Sequence, residues 1–171
     1  MKILVTGASR GIGLSTVITF LRNGHEVYGF DVNPSPELDS LFYHHYIVDI
    51  SKPDKYPELP SINILVNNAG IQTSDLSSNE DIITNLIGSI DITEKYGIQE
   101  NIKSILFNAS ASALTGSEFP RYAASKGGLL AYARNTALRI AKYGATCNSI
   151  CLGGVLTELN TSVMKDKEAW S

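Results

Sequence analysis

Residues 6–13, "TGASRGIG", constrain this chain more than any other stretch, because of what flanks them. An apolar run, "KILV", leads in, and a segment with helical apolar spacing, residues 12–23, leads out before Gly24. Gly7, Gly11 and Gly13 allow a tight turn and a close approach of backbone to a ligand. A helix that opens there offers unbonded N–H groups to an anion. Asp31 closes the next β-type run, "EVYGFD" (26–31), eighteen residues past Gly13. A carboxylate at that point accepts ribose hydroxyls and repels a 2′-phosphate. The pattern therefore predicts a dinucleotide site rather than a plain glycine-rich turn. Arg10 offers a cation within the loop, but no Arg or Lys follows Asp31 in "DVNPSP". Repulsion from the fixed carboxylate decides for NAD over NADP.

The rest of the chain supplies what such a site needs. β-type runs recur at 2–7, 26–31, 43–49, 62–68, 103–110 and 145–152, and the strongest helix signal covers 123–143. Continuous apolar strands alternating with helices predict a parallel sheet covered on both faces. The expected fold is α/β, a Rossmann-type doubly wound sheet of about six strands in a single domain over 1–171. The link between the third and fourth runs contains Pro53, Pro57 and Pro60. That predicts an extended or one-turn connection rather than a crossover helix. "NPSPEL" (33–38) reads as a loop.

Composition removes several classes of function. The 171 residues carry a net charge of −3, so nothing favours a nucleic-acid partner. No apolar run approaches the ~20 residues of a membrane helix, and the N-terminus lacks a signal peptide's long apolar segment. Cys147 and Cys151 fail zinc spacing and are expected as buried thiols in a reducing cytoplasm; no metal is expected.

"YAASK", residues 122–126, sets Tyr122 one helical turn from Lys126. An ammonium beside a phenol favours phenolate and lowers its pKa, making Tyr122 a workable acid/base at neutral pH. Together with "TGASRGIG", "NNAG" (67–70) and "NSICLGGVLTEL" (148–159), this resembles the short-chain dehydrogenase/reductase family from Met1 to about residue 160. The resemblance implies hydride transfer between a nicotinamide cofactor and an alcohol or carbonyl. It implies Tyr122 as acid/base, Lys126 as its electrostatic partner and a holder of the nicotinamide ribose, and Ser110 on the substrate oxygen, with Ser112 the alternative serine. Asn85 resembles the asparagine that supports a proton-relay water. Ser9, Arg10 and Ile12 belong with Gly7, Gly11 and Gly13 to the pyrophosphate loop. Asp49 and Ile50 match the pair at the adenine, Asn67 the residue beside the adenine ribose, and Val155 and Thr157 the contacts to the carboxamide. Ala69 and Gly70, of the same "NNAG", are also expected to bind the cofactor.

Two features depart from the family pattern. Leu152 stands where the family has proline, and the chain stops in "TSVMKDKEAWS", inside the expected substrate loop. The last strand of the family fold is then expected to be missing, leaving a sheet edge to be covered by a partner. The family habit predicts a homo-oligomer, through the helix carrying "GGLLAYARNTALRIA". Two other readings remain at this level. One is a dinucleotide-binding module without turnover, motivated by Leu152 and the short end. The other is a sugar-nucleotide epimerase, which also uses a Tyr and Lys four apart but carries a further substrate domain.

Overall fold

The computed structural model describes residues 1–117 and 119–157. Six strands form one sheet: β1 (Lys2–Thr6), β2 (Glu26–Asp31), β3 (Tyr43–Ile47), β4 (Ile64–Asn67), β5 (Ser104–Ser110) and β6 (Thr146–Leu152). All pairs are parallel, in the order β3-β2-β1-β4-β5-β6. This is the expected Rossmann-type sheet. The chain builds outward from β1 to β3, then returns to lay β4 on the other side of β1. That reversal opens a crevice at the carboxyl ends of β1 and β4, where ligands of open α/β sheets bind.

Side chains alternate across the pleat, and both faces are apolar. Ile3, Val5, Val27 and Val66 pack with Val17 of α1 (Gly11–Arg22) on one face. Leu4, Phe30, Leu65, Ile105 and Phe107 point to the other. There they meet Ile92 and Tyr96 from the helical stretch after β4, and Leu129, Ala133 and Ile140 from α4 (Pro120–Ile140). The stretch after β4 begins as π turns (Ile82–Gly88), passes through α2 (Ser89–Ile92) and ends in π turns (Thr93–Gly97). A short α3 (Ser112–Thr115) follows β5.

The proline-rich link between β3 and β4 holds only a 3₁₀ turn, Pro53–Lys55. Tyr56, Leu59 and Ile62 do the covering that a crossover helix would do. Tyr56 donates its hydroxyl to the Ile50 carbonyl and packs on Tyr96, with ring centres 6.2 Å apart. Two expectations need correction. The long helix starts at Pro120 rather than 123, because proline suits the first helical position, where its missing N–H would have no partner. It ends at Ile140, and Ala141–Tyr143 form a 3₁₀ turn. Cys147 and Cys151 are half-buried free thiols, not buried ones, because β6 forms an edge among the described residues and its alternate side chains Thr146, Asn148 and Ile150 are exposed. "TSVMKDKEAWS" lies outside the described residues.

Among the described residues no helix is long and apolar enough to cross a membrane, and no group of three or more His, Cys, Asp or Glu side chains is placed to hold a metal.

Candidate active site

The carboxyl ends of β1, β2, β4 and β5 frame a cleft of about 520 Å³. Its floor is the glycine loop. Gly7 and Ala8 both donate their N–H to the Phe30 carbonyl, at 2.7 and 3.2 Å, which folds the loop over the end of β2. Gly7 has φ +69°, in the left-handed region that favours glycine. A methyl on Gly13 would overlap the Gly7 carbonyl, so the helix can follow this turn so closely only with glycine there. No side chain caps the start of α1, and no acidic residue lies in its first turn. Its first N–H groups are thus left for an anion at the cleft, where Arg10, Gly11 and Ile12 line the wall. This cradle fits a dinucleotide pyrophosphate.

Asn68 ties the loop to the centre of the sheet. Its Nδ2 donates to the carbonyls of Thr6 and Gly7, at 3.0 and 3.2 Å. Its Oδ1 accepts Nδ2 of Asn108 at 2.8 Å. The backbone N–H groups of Asn68 and Ala69 both donate to the Thr6 hydroxyl at 3.0 Å.

At one end of the cleft, Asp31 accepts the Ser9 N–H at 2.9 Å. Further along, Asp49 accepts the N–H and the hydroxyl of Ser51 and pairs with Lys52 at 2.8 Å. Lys52 and the Ser51 donors hold its carboxyl down at about 2. At the other end lie Ser110, Tyr122 and Lys126. Lys126 is only 6% exposed; its Nζ donates to the Asn108 carbonyl at 2.9 Å and lies 5.7 Å from the centre of the Tyr122 ring. Burial disfavours the ammonium and pulls its pKa down to about 8. Gly70 makes room for it, since a methyl there would sit 3.3 Å from Nζ.

Ser110 and Ser112 form a buried pair. The Ser110 Oγ accepts the Ser112 hydroxyl at 2.8 Å and the Ser112 N–H at 3.2 Å. Asn85, fully buried in the π turns, accepts the Ile71 N–H at 2.7 Å and donates to the Ile71 carbonyl at 2.8 Å. It also donates to the Ser125 hydroxyl, which itself donates to the Tyr122 carbonyl at 2.7 Å. Asn85 therefore links the strand-end segment after β4 to the first turns of α4.

The family model for short chain dehydrogenase matches residues 53–168, more than half of the chain. The chain belongs to the short-chain dehydrogenase/reductase family. It is thus an oxidoreductase of an NAD(P)-dependent family. Among curated relatives, the 3-oxoacyl-(acyl-carrier-protein) reductase FabG of Chlamydia pneumoniae is 33% identical, over 99% of this chain and 79% of the relative. An L-rhamnose 1-dehydrogenase (NAD(P)(+)) of a Sphingomonas strain is 28% identical, over 97% of this chain and 77% of the relative. Among solved structures, a 4-hydroxyisoleucine dehydrogenase complexed with NADH is 26% identical with a TM-score of 0.79, covering 96% of this chain and 80% of its own.

Of the residues singled out in this short-chain dehydrogenase/reductase from sequence, most line one cleft. These are Gly7, Arg10, Gly11, Ile12, Asp31, Asp49, Ile50, Ala69, Gly70, Ser110, Tyr122, Lys126, Val155 and Thr157. Leu152, at the proline position, lines it too. Ser9, Gly13 and Asn85 stand behind the wall and shape it. Asn67 lies outside the lining: its amide turns into the core and donates to the Thr93 hydroxyl at 3.0 Å. Sequence reasoning passed over Asn33, Asn68 and Asn108. The signal was available, since each polar amide sits within two residues of the carboxyl end of a strand, where this fold binds ligands.

Proposed function

We propose that this protein is an NAD-dependent oxidoreductase that interconverts an alcohol and a carbonyl, with Tyr122 as the acid/base. The observation that carries the reading is the juxtaposition of Lys126 and Tyr122 at the end of a cleft whose floor is an uncapped helix start. A bound nicotinamide dinucleotide would supply or accept the hydride at the substrate carbon. The chain's own side chains manage the oxygen. In the reductive direction the Tyr122 hydroxyl gives its proton to the carbonyl oxygen and is left as phenolate, to be reprotonated from solvent. The reverse direction takes the proton from the alcohol.

A phenol with an ordinary pKa near ~10 holds its proton too tightly for this at neutral pH. Lys126 corrects that. Its pKa of about 8 leaves it charged at pH 7, and a buried ammonium stabilises phenolate more than a solvated one does. Ser110 is the donor to the substrate oxygen, because both acceptor positions of its hydroxyl are filled by Ser112 and its proton is left to point elsewhere. Asp31 accepts from the adenosine ribose and disfavours a 2′-phosphate, which selects NAD. The CH–OH substrate class rests on the same three side chains.

The test is turnover with NADH across a panel of ketones, 3-oxo thioesters and sugar lactones. Wild type is expected to reduce at least one member, and Tyr122→Phe to lose that activity while NADH affinity stays within about threefold. NADH binding with no turnover across the panel would instead support a binding module. Turnover that survives in Tyr122→Phe would remove the acid/base assignment.

A further inference from the structure

The Asp31 carboxylate does not stand free at its end of the cleft. Its Oδ2 accepts the Ser9 N–H, and its Oδ1 accepts both the backbone N–H and the side-chain Nδ2 of Asn33, each at 2.9 Å. Asn33 is held in turn from outside the cleft. His45 Nε2 lies 3.0 Å from the Asn33 carbonyl, and His45 Nδ1 lies 2.9 Å from the Tyr43 hydroxyl. The two bonds fit a neutral imidazole that donates from Nε2 and accepts at Nδ1. The Ser9 hydroxyl adds a bond to the Pro34 carbonyl at 3.1 Å.

The strand register makes this arrangement possible. Tyr43 and His45 alternate onto the same face of β3, and Gly29 of β2 is the partner of His45. A methyl on Gly29 would overlap the Tyr43 hydroxyl, so a glycine within a buried strand opens the path that the tyrosine takes beneath the histidine. Hydrogen bonds thus run without a break from an edge strand to the carboxylate that faces the cleft.

We propose that Asn33, propped by His45 and Tyr43, locks Asp31 as a fixed acceptor and so determines how strongly the protein discriminates NAD from NADP. The proposal rests on the reading that Asp31 meets the adenosine ribose. A carboxylate offers about four acceptor positions. Three are taken by Ser9 and Asn33, which leaves one on Oδ2. A ribose hydroxyl fills that position with its proton. A phosphate oxygen has no proton to give there and meets a negative charge instead. A carboxylate on a loose side chain would rotate away from the phosphate. Here rotation breaks three charge-assisted hydrogen bonds, so the repulsion stays in place.

Binding titrations of the purified protein with NADH and with NADPH, followed by nicotinamide fluorescence, test this without a substrate. Wild type is expected to bind NADH at least about tenfold more tightly. Asn33→Ala is expected to narrow that ratio roughly fivefold, chiefly by tightening NADPH, and its exposed position leaves the fold intact. His45→Ala narrows it by about threefold, whereas His45→Gln keeps the wild-type ratio, because an amide N–H reaches the same carbonyl. Equal wild-type affinities, or no binding of either dinucleotide, would overturn the reading of Asp31 itself. Discrimination in wild type that persists in Asn33→Ala and His45→Ala, including where both dinucleotides weaken alike, would overturn the lock alone.

Discussion

Lys126 lies beneath Tyr122 as a cation nearly out of water, with Nζ 5.7 Å from the centre of the ring and its one described hydrogen bond on the Asn108 carbonyl. The i,i+4 spacing on α4 sets the pair on one face of the helix, and β5 supplies the carbonyl. The arrangement costs the fold, because an ammonium loses hydration there that one hydrogen bond does not replace.

That cost has a defined pH dependence. The folded-state pKa of Lys126, about 8, lies below its ordinary 10.5, so the unfolded chain holds the proton more tightly. Below pH 8 this group opposes folding in full. The opposition fades as pH rises from 8 to 10.5, where the unfolded lysine also loses its proton. Lys126→Met in the cofactor-free protein is therefore expected to be more stable than wild type by roughly 2 kcal/mol at pH 7. The gap should close by about pH 10. Urea unfolding of both proteins at the two pH values measures it, and a gap that does not depend on pH would contradict the burial argument.

Asn85 acts through the backbone. It is fully buried and makes three hydrogen bonds, two of them with Ile71 and one with Ser125. Asn85→Ala leaves the Ile71 N–H and carbonyl without those partners and opens a cavity among them. A loss of about 3 kcal/mol in chemical unfolding is expected. Asn85→Asp keeps the acceptor for the Ile71 N–H but sets a second oxygen against the Ile71 carbonyl in a fully buried place, so it should cost at least as much as Asn85→Ala.

The glycine loop and the Tyr122–Lys126 pair are legible in sequence because each is local. A turn needs glycines at fixed spacing, and a helix sets residues four apart on one face. The strands are legible for a similar reason, since apolar runs between Gly and Pro leave few alternatives. Pairings that depend on strand register are not. Asn68 meets Asn108 only because β4 and β5 align Asn67 with Phe107, and His45 reaches Asn33 only because β3 aligns with β2 as it does. The π turns at Ile82–Gly88 are equally hidden. Nothing in the spacing of those residues separates a π turn from an α-helical one, and in the folded chain Asn85 reaches the Ile71 carbonyl from within it.

Gly13 tests the floor of the cleft. A methyl there collides with the Gly7 carbonyl, which is backbone and has no rotamer with which to yield. Gly13→Ala should push α1 away from the loop, weaken NADH binding by more than about tenfold, and lower stability by roughly 2 kcal/mol. Gly144, with φ +68° and no atom within 4 Å of an added methyl, is the control. Gly144→Ala should cost about 1 kcal/mol from backbone strain alone and leave NADH affinity unchanged.

Ser110 and Ser112 separate two roles that sequence leaves open. The Ser112 hydroxyl and N–H both point at the Ser110 Oγ, at 2.8 and 3.2 Å, so Ser110 keeps its own proton for another acceptor. If Ser110 is the donor to the substrate oxygen, Ser110→Ala should cost about a hundredfold in kcat. Ser112→Ala should cost only about tenfold, since it loosens the direction of that proton without removing it, and KM should hardly move. Ser112→Thr keeps the hydroxyl and should recover most of the loss. The comparison is made with whichever panel substrate the wild type reduces. The opposite ranking, with Ser112→Ala the more damaging and Ser110→Ala mild, would assign the donor to Ser112.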